Sequence, residues 1–208
     1  MSKPNPNPRH FVCSPLGFVP NRQVAQPYLW GMQVVFIGLA GSGKSTWGRR
    51  LASRLDLPFA DLDALAEAAM GETIPDLFAA GRSSEFRDCE ARLLRVLLKS
   101  DVHGVVATGG GAPMAEGVDW DGAYVVWLNP KLEEIEGRLA SEWASRPLFK
   151  DAGRSAWGQV LRRQAQERCG RFAELADEMW DSTPGSDWSI ELDRLVERWP
   201  DLASGQDK

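Results

Sequence analysis

One glycine-rich segment constrains the fold of this 208-residue chain more than any other feature, and it reads Gly38-Leu-Ala-Gly41-Ser-Gly43-Lys44-Ser45-Thr46. It carries the complete G-x-x-x-x-G-K-S spacing, follows a short apolar run and opens a helix-like stretch. Glycines at such positions let the backbone approach an anion closely, and the N–H groups then point inward at phosphates. The segment therefore predicts a phosphate-binding loop between a strand and a helix.

The side chains of this loop predict how a nucleotide would be held. Lys44 would reach the β- and γ-phosphates, and the Ser45 hydroxyl would bind Mg²⁺. The residues predicted to bind the nucleotide through backbone or side chain are Gly41, Ser42, Gly43, Lys44, Ser45 and Thr46.

Short apolar runs alternate with helical patterns along the rest of the chain. Strands are predicted at residues 34–37, 57–60, 102–108, 124–128 and 179–181. Helices are predicted at residues 46–55, 64–70, 75–80, 85–99, 132–140, 157–169, 172–176 and 187–199, with a loop at 141–152. This alternation predicts an α/β fold in which a five-stranded parallel sheet is flanked by helices. Ligands of such sheets sit at the carboxyl ends of the strands.

The two ends of the chain are expected to lie outside the folded domain, which we place at residues 32–199. Prolines recur through residues 1–31, a disordered Pro/Asn-rich tail, and such a segment sustains neither a helix nor a central strand. Residues 200–208 are expected to form a flexible end. The tail lacks the pattern of a signal peptide, and Met32 stands where the first strand begins.

Composition excludes some classes of partner. The net charge of −5 argues against a general nucleic-acid binder, which usually has a basic surface. The absence of an apolar run of about 18 residues argues against a transmembrane helix. Three cysteines without a CxxC pair favour a reduced, cytoplasmic compartment.

Charged side chains near the predicted strand ends are candidates for chemistry. Asp61 and Asp63 share one face of an extended segment, which fits one carboxylate near Mg²⁺ and one on an acceptor hydroxyl. The alternative is that Asp63 only caps the following helix. Arg87, Arg146 and Arg168 are candidates for anion binding, but each taken alone is equally compatible with a salt bridge or a solvated helix face.

Taken together, these segments resemble the shikimate kinase family from about residue 32 to residue 199. The resemblance rests on five motifs in order: the phosphate loop with Gly48-Arg49, Phe59-Ala-Asp61-Leu-Asp63, Phe86-Arg87 with Glu90, Ala107-Thr-Gly109-Gly110-Gly111, and Arg146-Pro147-Leu148. The loop alone is shared with many proteins, whereas the set formed by the D-x-D, F-R-x-x-E and T-G-G-G motifs is much more specific to this family.

The resemblance implies ATP-dependent phosphorylation of the 3-hydroxyl of shikimate by a cytoplasmic monomer of the aromatic amino acid pathway, with Mg²⁺. It assigns catalysis to Lys44, Asp63 and Arg146, and the metal site to Ser45 and Asp61. Arg146 would also contact the nucleotide from a mobile lid over residues 141–154. The substrate-binding positions that it implies are Asp63, Arg87, Gly109, Gly110, Gly111 and Arg168.

Some features leave alternatives open. After Arg168 the family usually continues with a Pro-Leu-Tyr-like stretch, and this chain has Gly170-Arg171-Phe172 instead. A gluconate-type kinase, or a nucleotide-binding regulatory protein without catalysis, therefore remains an alternative. Trp143 falls in the expected lid, where it would either stack near the nucleotide or pack at the hinge.

Overall fold

The computed structural model describes residues 33–143, 146–153, 156–181 and 188–198. The predicted tail at 1–31 and the flexible end at 200–208 lie outside these ranges. Among the described helices, none combines the length and apolar character needed to cross a bilayer.

Five strands and eight α-helices make up the described chain. The strands are β1 Gln33–Ile37, β2 Phe59–Asp61, β3 Gly104–Ala107, β4 Ala123–Asn129 and β5 Glu178–Asp181. The helices are α1 Lys44–Leu55, α2 Leu62–Met70, α3 Ile74–Ala79, α4 Ser83–Leu98, α5 Leu132–Leu139, α6 Pro147–Ala152, α7 Trp157–Leu175 and α8 Ser189–Arg198. A short 3₁₀ turn, Ala112–Met114, follows β3.

The strands form one sheet in the order β2-β3-β1-β4-β5, and every pairing is parallel. The predicted five-stranded parallel sheet is therefore confirmed. Because β1 is central, the glycine-rich loop at its carboxyl end lies between the ends of β3 and β4. Every residue of β1 is buried, which explains why its sequence is a nearly continuous apolar run.

Alternate side chains of β1 enter two different hydrophobic clusters, one on each face of the sheet. Val35 and Ile37 pack with residues of α4, α5 and α7. Val34 and Phe36 pack with residues of α1 and α8. This follows from the two-residue period of a strand, and it gives the sheet the helix layers expected of an α/β fold.

The segment 141–152 differs from the predicted loop, because residues 147–152 form helix α6. Pro147 stands at the first helical position, where its fixed φ favours a helix and its missing N–H costs nothing. The long helix α7 also differs, since it runs through Gly170 without the predicted break. Burial of Phe172 and Leu175 in the core outweighs the low helix propensity of glycine.

The starts of α3 and α4 differ in how they are capped. Thr73 caps α3, and its side chain accepts a hydrogen bond from the Asp76 N–H. Ser84 does not cap α4, because that helix already begins at Ser83.

Two helical glycines allow a matched test of packing. A Cβ atom on Gly48 of α1 would lie 2.7 Å from Cε2 of Phe59, whereas one on Gly170 of α7 would meet nothing within 4 Å. We expect Gly48→Ala to lower the free energy of unfolding by about 1–2 kcal/mol, since overpacking exceeds the gain in helix propensity. Gly170→Ala should raise it by up to about 1 kcal/mol. Chemical denaturation measures both, and equal stabilisation by the two alanines would contradict this packing.

Candidate active site

The carboxyl edge of the sheet opens into a cavity of about 320 Å³. Helices α2, α3, α4, α6 and α7 contribute side chains to its wall, and the segments after β1 and β3 contribute backbone. The residues that line it are Ala40, Asp63, Glu67, Ile74, Pro75, Phe78, Phe86, Arg87, Gly110, Gly111, Arg146, Pro147, Phe149, Gln164 and Arg168.

The glycine-rich loop has the backbone conformation that its glycines permit. Gly38, Gly41 and Gly43 have φ angles of 145°, 78° and 100°, which other residues rarely adopt. A Cβ atom on Gly38 would also lie 2.5 Å from the carbonyl oxygen of Leu128. The loop therefore requires glycine for both conformation and space, and it leads directly into α1 at Lys44.

Lys44 is only 8% exposed. Its Nζ donates hydrogen bonds to the carbonyl oxygens of Gly38 and Leu39, at 3.1 and 2.8 Å. Burial lowers the pKa of Lys44 to about 8, although the negative charge of Asp63 acts in the opposite direction. The ammonium is thus positioned by the loop itself, and none of the carboxylates that the structure describes forms an ion pair with it, so an anion would stabilise its charge.

Ser45 and Asp61 meet at the start of α2. The Ser45 Oγ donates to Oδ2 of Asp61 at 2.7 Å, and Oδ1 of Asp61 accepts from the Asp63 N–H at 3.2 Å. Asp61, not Asp63, is therefore the residue that caps α2. The hydroxyl and carboxylate form a pair of oxygen ligands of the kind that Mg²⁺ prefers.

Asp63 lies in the first turn of α2 and lines the cavity. Burial raises its pKa, while Lys44 lowers it by a smaller amount. A Cβ atom on Gly109 would lie 2.5 Å from Oδ1 of Asp63 and 2.1 Å from Oε1 of Glu90. Gly109 thus leaves the space in which two carboxylates come close together, but it does not itself line the cavity.

An ion pair on α4 holds Arg87 beside the cavity. Its Nη1 donates to Oε2 of Glu90 at 2.6 Å, and Glu90 is 1% exposed. Burial raises the pKa of Glu90, and Arg87 counteracts this. A Cβ atom on Gly111 would lie 2.8 Å from Nη1 of Arg87, so glycine is needed beside the guanidinium. The i, i+3 spacing from Arg87 was the sequence signal for this partner.

Arg168 reaches the same cavity from α7. Its Nη1 donates to the carbonyl oxygen of Gly110 at 2.9 Å. Burial lowers the pKa of Arg168, and the positive charge of Arg87 lowers it further. Two guanidinium groups that repel each other across a cavity form a site for an anion.

The segment at the cavity entrance is α6, with Arg146 at its N-terminus. The Nη2 of Arg146 lies 3.9 Å from Oε2 of Glu142, a long ion pair. Phe149, which lines the cavity, also contacts the Trp157 ring at 5.8 Å between centroids. Trp143 packs against the hydrophobic core, in agreement with the hinge-packing alternative.

Sequence reasoning missed Arg138, which lies in the last turn of α5. Its Nη1 donates to the carbonyl oxygens of Gly41 and Ser42 at 3.4 and 3.3 Å. No motif distinguished Arg138 from other helical arginines, so the sequence held no signal for this contact.

The lowered pKa of Lys44 predicts how anion binding depends on pH. As the pH rises through about 8, Lys44 of the empty site loses its proton, so the attraction for a phosphate weakens. We expect the affinity for ADP, measured by calorimetry without Mg²⁺, to fall by up to about tenfold per pH unit above this value. Lys44→Met should bind ADP more weakly, with an affinity that does not change with pH. An affinity independent of pH in the unsubstituted protein would contradict the lowered pKa of Lys44.

Comparisons with known proteins agree with this geometry. The family model for shikimate kinase matches residues 40–195. A shikimate kinase of Rhodopseudomonas palustris is 45% identical over 120 residues, which are 56% of this chain and 58% of that protein. One of Gloeobacter violaceus is 39% identical over 129 residues, 61% of this chain and 72% of that protein. The chain thus spans 58% and 72% of the lengths of these two relatives.

A solved structure gives the same result. The shikimate kinase from Acinetobacter baumannii in complex with shikimate matches with a TM-score of 0.70 and 26% identity, over 84% of this chain and 95% of that chain. The fold is therefore that of the phosphate-loop kinases, and the family model covers well over half of the sequence. The chain belongs to the shikimate kinase family.

Proposed function

We propose that the protein transfers the γ-phosphoryl group of ATP to the 3-hydroxyl of shikimate, giving shikimate 3-phosphate and ADP. One observation carries the proposal: two arginines, Arg87 and Arg168, and one half-buried carboxylate, Asp63, line a single cavity beside the phosphate loop. This set matches an acceptor that has a carboxylate at one end and hydroxyl groups at the other. The related structure from Acinetobacter baumannii, which is described as a complex with shikimate, supports the same acceptor.

The acceptor carboxylate is assigned to Arg87 and Arg168. The planar guanidinium group suits a carboxylate, because its N–H donors match the two oxygens. Binding would also relieve the repulsion that lowers the pKa of Arg168. The backbones of Gly110 and Gly111 would contact the acceptor ring, and Gly109 would support Asp63 from behind.

The nucleotide is assigned to the loop from Gly41 to Thr46, with Arg138 and Arg146 at its border. Ser45 and Asp61 fit a Mg²⁺ site, because their oxygens already lie 2.7 Å apart and this ion usually takes its other ligands from phosphates and water. When bound, Mg²⁺ would neutralise charge on the β- and γ-phosphates.

Asp63 is assigned the role of base in the transfer. The acceptor oxygen attacks the γ-phosphorus, the bond from that phosphorus to the β–γ bridging oxygen breaks, and the hydroxyl proton passes to Asp63. A pKa raised by burial makes this carboxylate a better proton acceptor than an exposed aspartate. Lys44 and Arg146 stabilise the negative charge on the transferred group and on the departing ADP.

The lid assignment rests on α6 and the segment before it. Arg146, Pro147 and Phe149 line the cavity from this side, so closure of residues 141–154 would exclude water that could otherwise hydrolyse ATP. We also propose that the protein acts as a cytoplasmic monomer without nucleic-acid partners, and its net charge of −5 supports the last of these three points.

The test is ADP release from the purified protein with Mg-ATP and shikimate, gluconate or no acceptor. We expect strong stimulation by shikimate alone, and a ³¹P NMR spectrum of the product that shows a phosphate ester on the 3-hydroxyl. Stimulation by gluconate instead would favour a gluconate-type kinase. Nucleotide binding without stimulation by either acceptor would favour a regulatory protein.

A further inference from the structure

Gln164 is a buried polar residue to which no role has so far been assigned. It lies on α7, is 6% exposed and lines the cavity. The other polar side chains among the described lining residues are charged: Asp63, Glu67, Arg87, Arg146 and Arg168. Among the described lining residues, Gln164 therefore has the one polar side chain that is uncharged.

The amide of Gln164 has no hydrogen-bond partner within the part of the chain that the structure describes. Polar side chains as deeply buried as that of Gln164 usually have a hydrogen-bond partner, and this amide borders the cavity. Leucine has nearly the same size but could not form a hydrogen bond at the same place. A group that enters the cavity is the partner that would satisfy the amide.

The chemistry of the cavity indicates which group this is. Arg168 lies four residues further along α7, on the same helix face, with a Cβ roughly 5–6 Å away. If the acceptor carboxylate binds Arg168 and Arg87, the atoms one helical turn away belong to the ring and its hydroxyl groups. An amide both donates and accepts, as a hydroxyl does, so the two match in either direction.

We infer that Gln164 forms a hydrogen bond with a ring hydroxyl of the acceptor, other than the one that is phosphorylated, and thereby contributes to acceptor specificity. The inference rests on the proposed function. A site built to pair with a hydroxyl rejects an analogue that lacks it, because the buried amide is then left unpaired.

The experiment compares Gln164→Leu with Gln166→Leu, a substitution at an exposed position of the same helix. The acceptors are shikimate and its 4-deoxy and 5-deoxy analogues, which keep the 3-hydroxyl. We expect Gln164→Leu to lower kcat/KM for shikimate roughly 10- to 100-fold, with the KM for ATP changed less than about twofold. With one of the two analogues, the unsubstituted protein and Gln164→Leu should have the same kcat/KM. With all three acceptors, Gln166→Leu should have the kcat/KM of the unsubstituted protein.

Thermal unfolding supplies an independent readout. Because the substitution replaces an amide that has no partner among the described residues with an apolar side chain of nearly the same size, Gln164→Leu should leave the melting temperature unchanged or raise it by up to about 4 °C. A residue that served only packing would lower it instead. Gln164→Met, which is unbranched like glutamine, repeats both measurements if the leucine variant does not fold.

Three outcomes would overturn the inference. These are an unchanged kcat/KM for shikimate, an equal loss with all three acceptors, or a loss of activity that accompanies a lower melting temperature. Absence of shikimate turnover by the unsubstituted protein would reject the proposed function, and this inference with it. Turnover that the substitution leaves unchanged would reject the role of Gln164 alone.

Discussion

The hydrogen-bonded ion pair between Arg87 and Glu90 is the interaction on which the acceptor side of the cavity depends. Glu90 is 1% exposed, and an isolated carboxylate at such a depth costs several kcal/mol. The Arg87 side chain is 38% exposed, so the pair joins a buried anion to a cation that borders the cavity. Arg87 uses Nη1 for Glu90, and its guanidinium has further N–H donors for a ligand.

Glycines make this concentration of charge sterically possible. Three glycines follow β3, and each lies against charged side chains. Gly109 lies against Glu90 and Asp63, Gly110 against Arg168, and Gly111 against Arg87. A side chain at Gly109 or Gly111 would displace a carboxylate or a guanidinium. Because these glycines have no side chains, the charged residues of α2, α4 and α7 can meet at one edge of the sheet.

Much of this arrangement could be predicted from the sequence because it depends on local patterns. The loop from Gly38 to Ser45 has a fixed spacing, and the buried run of β1 identifies a central parallel strand. From these, together with polar residues at the strand ends, the position of the cavity follows. Asp61 and Asp63 were predicted as a pair, although only the structure shows that Asp61 is the cap.

The remaining features depend on tertiary contacts, which a single sequence does not display. The unbroken α7 is an example, because burial of Phe172 overrides the glycine before it. Arg138 and Gln164 are others: each looks like an ordinary helical polar residue, and only the packing of α5 and α7 brings one to the loop and the other to the cavity.

The central claim is that Arg87 recognises the acceptor carboxylate, and the most direct measurement is of KM values for Arg87→Ala. Arg87→Lys, which keeps a positive charge near Glu90 but lacks the planar fork, and the exposed Arg92→Ala on the same helix serve as controls. The account predicts that Arg87→Ala raises the KM for shikimate roughly 10- to 100-fold while the KM for ATP changes less than about twofold. Equal increases in both values would contradict it.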